Sequence, residues 1–97
     1  MINEENSKDY PIITVIGKDQ KGIVAQISTF LWEKKINIEE IQQGVMKGNF
    51  FMAMSVNAED SNMSTPKLSE ELENLGNKIG VKINIYDKQI FTAMHKI

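Results

Sequence analysis

Along the chain the spacing of apolar positions switches between two and about 3.6 residues, and each switch marks an element. From Tyr10 to Gly17, "YPIITVIG" is a dense β-branched run too short for a helix, which predicts a strand opened by Pro11. The next run, "GIVAQISTFLWEKK", sets Ile23, Val24, Ile27, Phe30 and Leu31 on one face at helical spacing. Lys34 and Lys35 suit the last turn of that helix, where cations meet the negative end of its dipole. Trp32 falls on the opposite side, which predicts exposure and either an interface or partial burial.

The stretch "INIEEIQQGVMKGNFFMAMSVNA" divides at Gly48-Asn49, a pair that accepts positive φ in a tight hairpin, so Ile38–Lys47 and Phe50–Asn57 become antiparallel strands. In the second of these, Phe50, Met52, Met54 and Val56 alternate with Phe51, Ala53 and Ser55, and neither face is fully polar. Thr65 and Pro66 predict a helix start, the first as N-cap and the second as first helical residue. Leu68, Leu72, Leu75 and Ile79 form its stripe, and Gly80 suits the left-handed position that ends it. Gly76 inside that helix costs about 1 kcal/mol relative to alanine by propensity. "VKINIYD" alternates Val81, Ile83 and Ile85 with Lys82, Asn84 and Tyr86, a half-buried strand. Lys88 to Lys96 places Ile90, Phe91 and Met94 on one side of a short terminal helix.

The order β-α-β-β-α-β predicts an α+β, ferredoxin-like βαββαβ sandwich: a four-stranded antiparallel sheet with two helices on one face, plus the terminal helix. Right-handed crossovers leave the other face without helices, and its apolar residues imply a partner subunit as cover. At 97 residues the chain makes one domain, residues 10–97, preceded by an acidic head at residues 1–9. The formal charge of −2 lies entirely in that head, which carries Glu4, Glu5 and Asp9 against Lys8. The neutral remainder carries no polyphosphate-binding field. All 11 basic residues are lysine, which removes the planar fork of bidentate phosphate and guanine contacts. The chain has no cysteine, so disulfides and thiolate chemistry are excluded. The polar start "MINEENSKD" lacks a signal-peptide core and no apolar run is long enough to span a bilayer, so a cytoplasmic location without membrane contact is the expectation.

No combination of reactive groups in the sequence points to a catalytic residue. "GKDQKG" has the glycine spacing of a phosphate loop, but Ile23 and Val24 stand where Lys and Ser or Thr are required. His95 is the only histidine, near the end of the chain, and pairs with no evident nucleophile. Glu39 and Glu40 are strand neighbours on opposite faces and cannot flank one bond. "EDSN" at Glu59–Asn62 lacks the spacing of a calcium loop, and the internal methionines read as core filling. No cofactor or metal is implied. What survives is "VIGKDQKGIVAQIS", Val15 to Ser28: strand, polar loop, glycine, helix. The first N–H groups of the helix lack partners and carry partial positive charge. Either Gly22 lets a carboxylate reach the N–H groups of Gly22, Ile23 and Val24, or it eases a tight turn; Asp19 could fold back as a cap. Asn37, at the helix-to-strand junction, is either an ordinary left-handed asparagine or an amide that both donates and accepts.

"IITVIGKDQKGIVAQISTFLWEKKINIEEIQQ" closely resembles the opening of an ACT domain, and the likeness continues through "FFMAMSV", the second helix and "VKINIYDKQIFTAMHKI". It resembles most the small stand-alone ACT proteins of an uncharacterised, UPF0237-like bacterial and archaeal group. It is more distantly similar to the ACT halves of the glycine-cleavage repressor and of formyltetrahydrofolate deformylase. The resemblance implies a regulatory module that binds an amino acid or related metabolite at a homo-oligomer interface, as a dimer. The ligand then lies between the loop of one copy, with Asp19, Lys21, Gly22, Ile23 and Val24, and Asn37 and Ile38 of another. No output domain accompanies the motif, so a partner protein is a further expectation. An interaction module without a ligand is the alternative. An RNA-binding module shares the βαββαβ order and finds Phe50 and Phe51 in the third strand, but it lacks the basic pattern. An enzyme built from Asp19, Lys21 and Glu39 has no specific constellation behind it.

Overall fold

The computed structural model describes residues 10–94, and the acidic head and His95 lie outside the described residues. The elements are β1 (Ile12–Lys18), α1 (Ile23–Glu33), β2 (Asn37–Met46), β3 (Asn49–Asn57), α2 (Thr65–Ile79), β4 (Val81–Tyr86) and α3 (Lys88–Met94). The strands form one antiparallel sheet in the order β2-β3-β1-β4. This is the ferredoxin-like arrangement, with α3 added.

The core lies between the sheet and the two long helices. Ile13 and Val15 of β1, alternate residues Phe50 to Val56 of β3, and Val81 and Ile83 of β4 meet Ile23, Ile27 and Leu31 of α1 and Leu68, Leu72 and Ile79 of α2. The alternation read in β3 therefore separates a core face from a helix-free one. Phe50 is buried in that core, so of the two adjacent phenylalanines only Phe51 stands on the face an RNA base would stack upon. β2 contributes no buried residue, and its Ile41, Val45 and Met46 are exposed.

The ends of the elements differ from the sequence reading where left-handed backbone falls on lysine. α1 stops at Glu33, so Lys34 and Lys35 lie beyond its last turn. Lys35 takes φ 62°, its N–H donates to the Trp32 carbonyl at 3.0 Å, and the Ile36 N–H donates to the Leu31 carbonyl at 2.9 Å. Those paired bonds, with Ile36 and Leu31 both buried, are the glycine-type helix stop built on a lysine. Asn37 accordingly has no left-handed role and begins β2. Likewise the hairpin turn is Lys47-Gly48, at φ 52° and 81°, between the paired Met46 and Asn49, one residue earlier than Gly48-Asn49.

At the start of α2 the N-cap is Ser64, and Thr65 is the first helical residue. The Ser64 hydroxyl accepts from the Lys67 N–H at 3.3 Å. Ser64→Ala is expected to cost about 1 kcal/mol, read as a lower denaturant midpoint at unchanged slope. Glu71 then ties α2 to the end of α1, lying 3.4 Å from Lys34 Nζ and 3.6 Å from Lys67 Nζ. Exposed pairs of this kind contribute below about 1 kcal/mol each. Trp32 is 78% exposed, as its position opposite the α1 stripe predicts.

Candidate functional site

β1 ends at Lys18, and two bonds hold the loop that follows. The Asp19 N–H donates to the Gly48 carbonyl at 2.9 Å, which fastens the loop to the β2–β3 turn. The Gln20 side-chain amide donates to the Ile79 carbonyl at 3.0 Å, which fastens it to the end of α2. Asp19 does not cap α1. The N-cap is Gly22, with φ 88° and ψ 1° and no side-chain cap. Its carbonyl accepts from the Gln26 N–H at 3.0 Å. A Cβ at Gly22 would meet nothing closer than the Gln26 Nε2 at 3.5 Å, so backbone conformation, not space, selects glycine.

The consequence is a helix start whose first N–H groups, at Ile23 and Val24, have no intrahelical acceptor and no side-chain cap at Gly22. Ile23 is buried and anchors the turn, while Asp19 and Lys21 are exposed. The bond from Asp19 to Gly48 also brings Lys47 to this end of the sheet, beside the lysines at 18 and 21. The sequence reading missed Lys47 and Gln20. The "MKGNF" run permits either glycine pair as the turn, and nothing local marks a glutamine that reaches an element about sixty residues away.

Asn37 and Ile38 are elsewhere. Asn37 pairs with Asn57, and Ile12 pairs with Ser55, so the start of β2 lies beside the start of β1. Lys18 pairs with Asn49 at the other end. The seven residues of β1 therefore separate the two halves of the predicted site by about 20 Å within one chain. Asn37 Nδ2 donates to Glu39 Oε2 at 2.7 Å. Between Ile38 and Glu40 the register shifts by a bulge, with Ile38 opposite Val56 and Glu40 opposite Ser55. Simple alternation therefore fails at Glu39, and Glu40 is turned to the helix-free face. Among the described residues, no three carboxylates or histidines converge as a metal site. None of the helices described is long and apolar enough to cross a membrane.

A helix started by a left-handed glycine without a side-chain cap thus stands at one end of a ferredoxin-like sheet. A family model for the ACT domain matches residues 9–86. The chain belongs to the ACT domain family. Among its relatives is a UPF0237 protein of Clostridium acetobutylicum, 45% identical over 86 residues, which cover 89% of this chain and 97% of the relative. Among solved structures, the ACT domain protein from Streptococcus pneumoniae superposes with a TM-score of 0.75 at 40% identity, covering 86% of this chain and 93% of that one. A formyltetrahydrofolate deformylase from Pseudomonas syringae shares the fold, with a TM-score of 0.76 at 22% identity over 86% of this chain and 30% of its own. ACT domains are regulatory modules that bind small ligands.

Proposed function

We propose that this ACT domain is a non-catalytic regulatory module that binds an amino acid or related small metabolite between two copies of the chain. The observation that carries the reading is the start of α1, where left-handed Gly22 leaves the Ile23 and Val24 N–H groups uncapped. A ligand carboxylate is held by those groups, with Lys21 adding favourable charge and Asp19 facing the ligand's amino group.

The 20 Å separation within one protomer explains why a second copy is needed. β2 is an edge of the sheet, so the outward side of its main chain is unpaired, and its Ile41, Val45 and Met46 side chains are exposed on the faces beside that edge. β4, the other edge, is shorter and presents Lys82, a charge that discourages pairing. Two β2 strands running antiparallel in full overlap set Asn37 of one opposite Met46 of the other. Asn37 and Ile38 then approach the Lys47-Gly48 turn, to which Asp19 is bonded, and each ligand sees both halves of the site. No cofactor, nucleic acid or membrane enters this reading.

The test is a thermal-shift screen against the twenty amino acids and a few one-carbon metabolites, with light scattering at micromolar concentration. The expected outcome is a dimer and a selective rise in melting temperature, since ligand at about 100 times its Kd adds roughly 2.7 kcal/mol. Gly22→Asp and Gly22→Asn impose the same backbone strain, about 1 kcal/mol, and differ only in charge. Asp is expected to abolish the shift and Asn to weaken it. Equal shifts in both would remove the carboxylate from this position, and a monomeric mass would remove the interface. No shift with any compound favours the second reading, an interaction module without a ligand, to which the exposed Trp32 would belong.

A further inference from the structure

The face of the sheet turned away from α1 and α2, which α3 borders, holds a groove of about 520 Å³, within the roughly 300–1,000 Å³ of small-molecule sites. Its lining includes Ile12, Glu40, Gln42, Ala53, Ser55 and Phe91, and none of the β1–α1 loop. Strand register explains its shape. One row across the sheet runs Glu40, Ser55, Ile12 and Tyr86, and the next runs Gln42, Ala53, Thr14 and Asn84. Small Ser55 and Ala53 lie at the centre of these rows, so the sheet is hollow between longer side chains. Phe91 of α3 forms the wall on the Tyr86 side, its ring centroid 6.2 Å from that of Tyr86. On the other wall stand Glu40 and Gln42, placed there by the bulge at Ile38/Glu40.

Among the described residues, neither the Glu40 carboxylate nor the Gln42 amide nor the Ser55 hydroxyl has a hydrogen-bond or ion-pair partner. The groove thus opposes an unneutralised carboxylate to an aromatic ring across a floor of small residues. We propose that this groove binds a primary amine carried on a flat apolar body. The ammonium is held by Glu40, with Gln42 and Ser55 completing its hydrogen bonds, and the body lies over Ala53 and Ile12 against the Phe91 ring. The site is separate from the start of α1 and does not depend on what that helix binds.

The probe is phenethylamine, titrated into the full chain and followed by amide chemical shifts in nuclear magnetic resonance. Two analogues share its body: 2-phenylethanol lacks the charge, and 3-phenylpropionate inverts it. The expected result is saturable, millimolar binding of phenethylamine with shifts centred on Ile12, Gln42, Ala53 and Ser55, and no saturable binding of the propionate. Glu40→Gln keeps the shape and is expected to weaken binding about tenfold or more, because it removes the charge from the hydrogen-bonded partner. Its melting temperature should match that of the unaltered chain, since Glu40 is exposed and contacts no partner. Phe91→Ala should weaken phenethylamine and leave the shifts, where detectable, at the same amides. The proposal is overturned by no saturation up to about 20 mM, by equal affinity in Glu40→Gln, or by shifts centred on Ile23 and Val24, which would instead place the amine at the α1 site.

Discussion

Gly76→Ala is expected to destabilise the domain by about 2 kcal/mol, the opposite sign to the gain of about 1 kcal/mol that helix propensity alone assigns to this change. Gly76 is buried in α2, where the helix backbone runs close against β4. A Cβ there would lie 2.6 Å from the Val81 carbonyl oxygen and 3.1 Å from Ile83 Cγ1. The side chain of Ile83 can rotate away, but the Val81 carbonyl belongs to the main chain, which enters β4 directly after Gly80. Relief therefore requires α2 to move off the sheet, and that movement opens the layer between Leu72, Ile79 and Val81. For a domain of this size each kcal/mol lowers the melting temperature by roughly 4–8 °C, so a fall of about 10 °C is the outcome to measure. A melting temperature equal to or above that of the unaltered chain would mean that the close approach relaxes at no cost.

This glycine also shows what could and could not be read from the chain. The existence and order of the elements were legible because the apolar stripes are dense: Ile23, Ile27 and Leu31, then Leu68, Leu72 and Ile79, and the alternation from Phe50 to Val56 all face the core as their spacing requires. The ends were less legible. Lys35 and Lys47 take left-handed backbone despite a Cβ, because the Ile36–Leu31 contact and the Met46–Asn49 pairing hold them there. Ser64 and Thr65 carry equivalent capping groups, and only the geometry of the preceding loop chooses between them. The bulge at Glu39 leaves no trace in composition. Gly76 looked like a defect in a helix because its partner, the Val81 carbonyl, belongs to another element.

The candidate site divides in the same way. Asp19, Lys21, Gly22, Ile23 and Val24 were legible together because one local sequence of strand, loop, glycine and helix contains them. Their relation to Asn37 and Ile38 came only from the resemblance, since local spacing does not show that the length of β1 separates the two groups within one chain. The Glu40–Phe91 groove was invisible for a stronger reason: it joins a bulged strand, two small residues of another and a terminal helix, none of which signals a site by itself.

Leu72→Ala is expected to have the largest effect on stability, about 3 kcal/mol, as the loss of a fully buried side chain plus the cavity left behind. Leu72 is 0% exposed in the same cluster as Ile27 and Leu31 of α1, so the void opens at the centre of the sandwich. A domain of this size holds only about 5–15 kcal/mol in total, and the variant should unfold at a visibly lower denaturant midpoint. Its value extends beyond stability. Leu72 belongs to α2 and has no part in the β1–α1 loop, so a ligand held at Gly22 should still add its increment to the weakened fold. By linkage that increment depends on ligand concentration and affinity, not on how stable the unliganded domain is. Leu72→Ala should therefore melt well below the unaltered chain yet keep the free-energy gain from ligand, whereas Gly22→Asp, strained by about 1 kcal/mol, should melt only a few degrees lower and lose it. If both variants lose the gain, the α1 start is sensitive to the whole core, and loss of binding in Gly22→Asp would no longer locate the carboxylate.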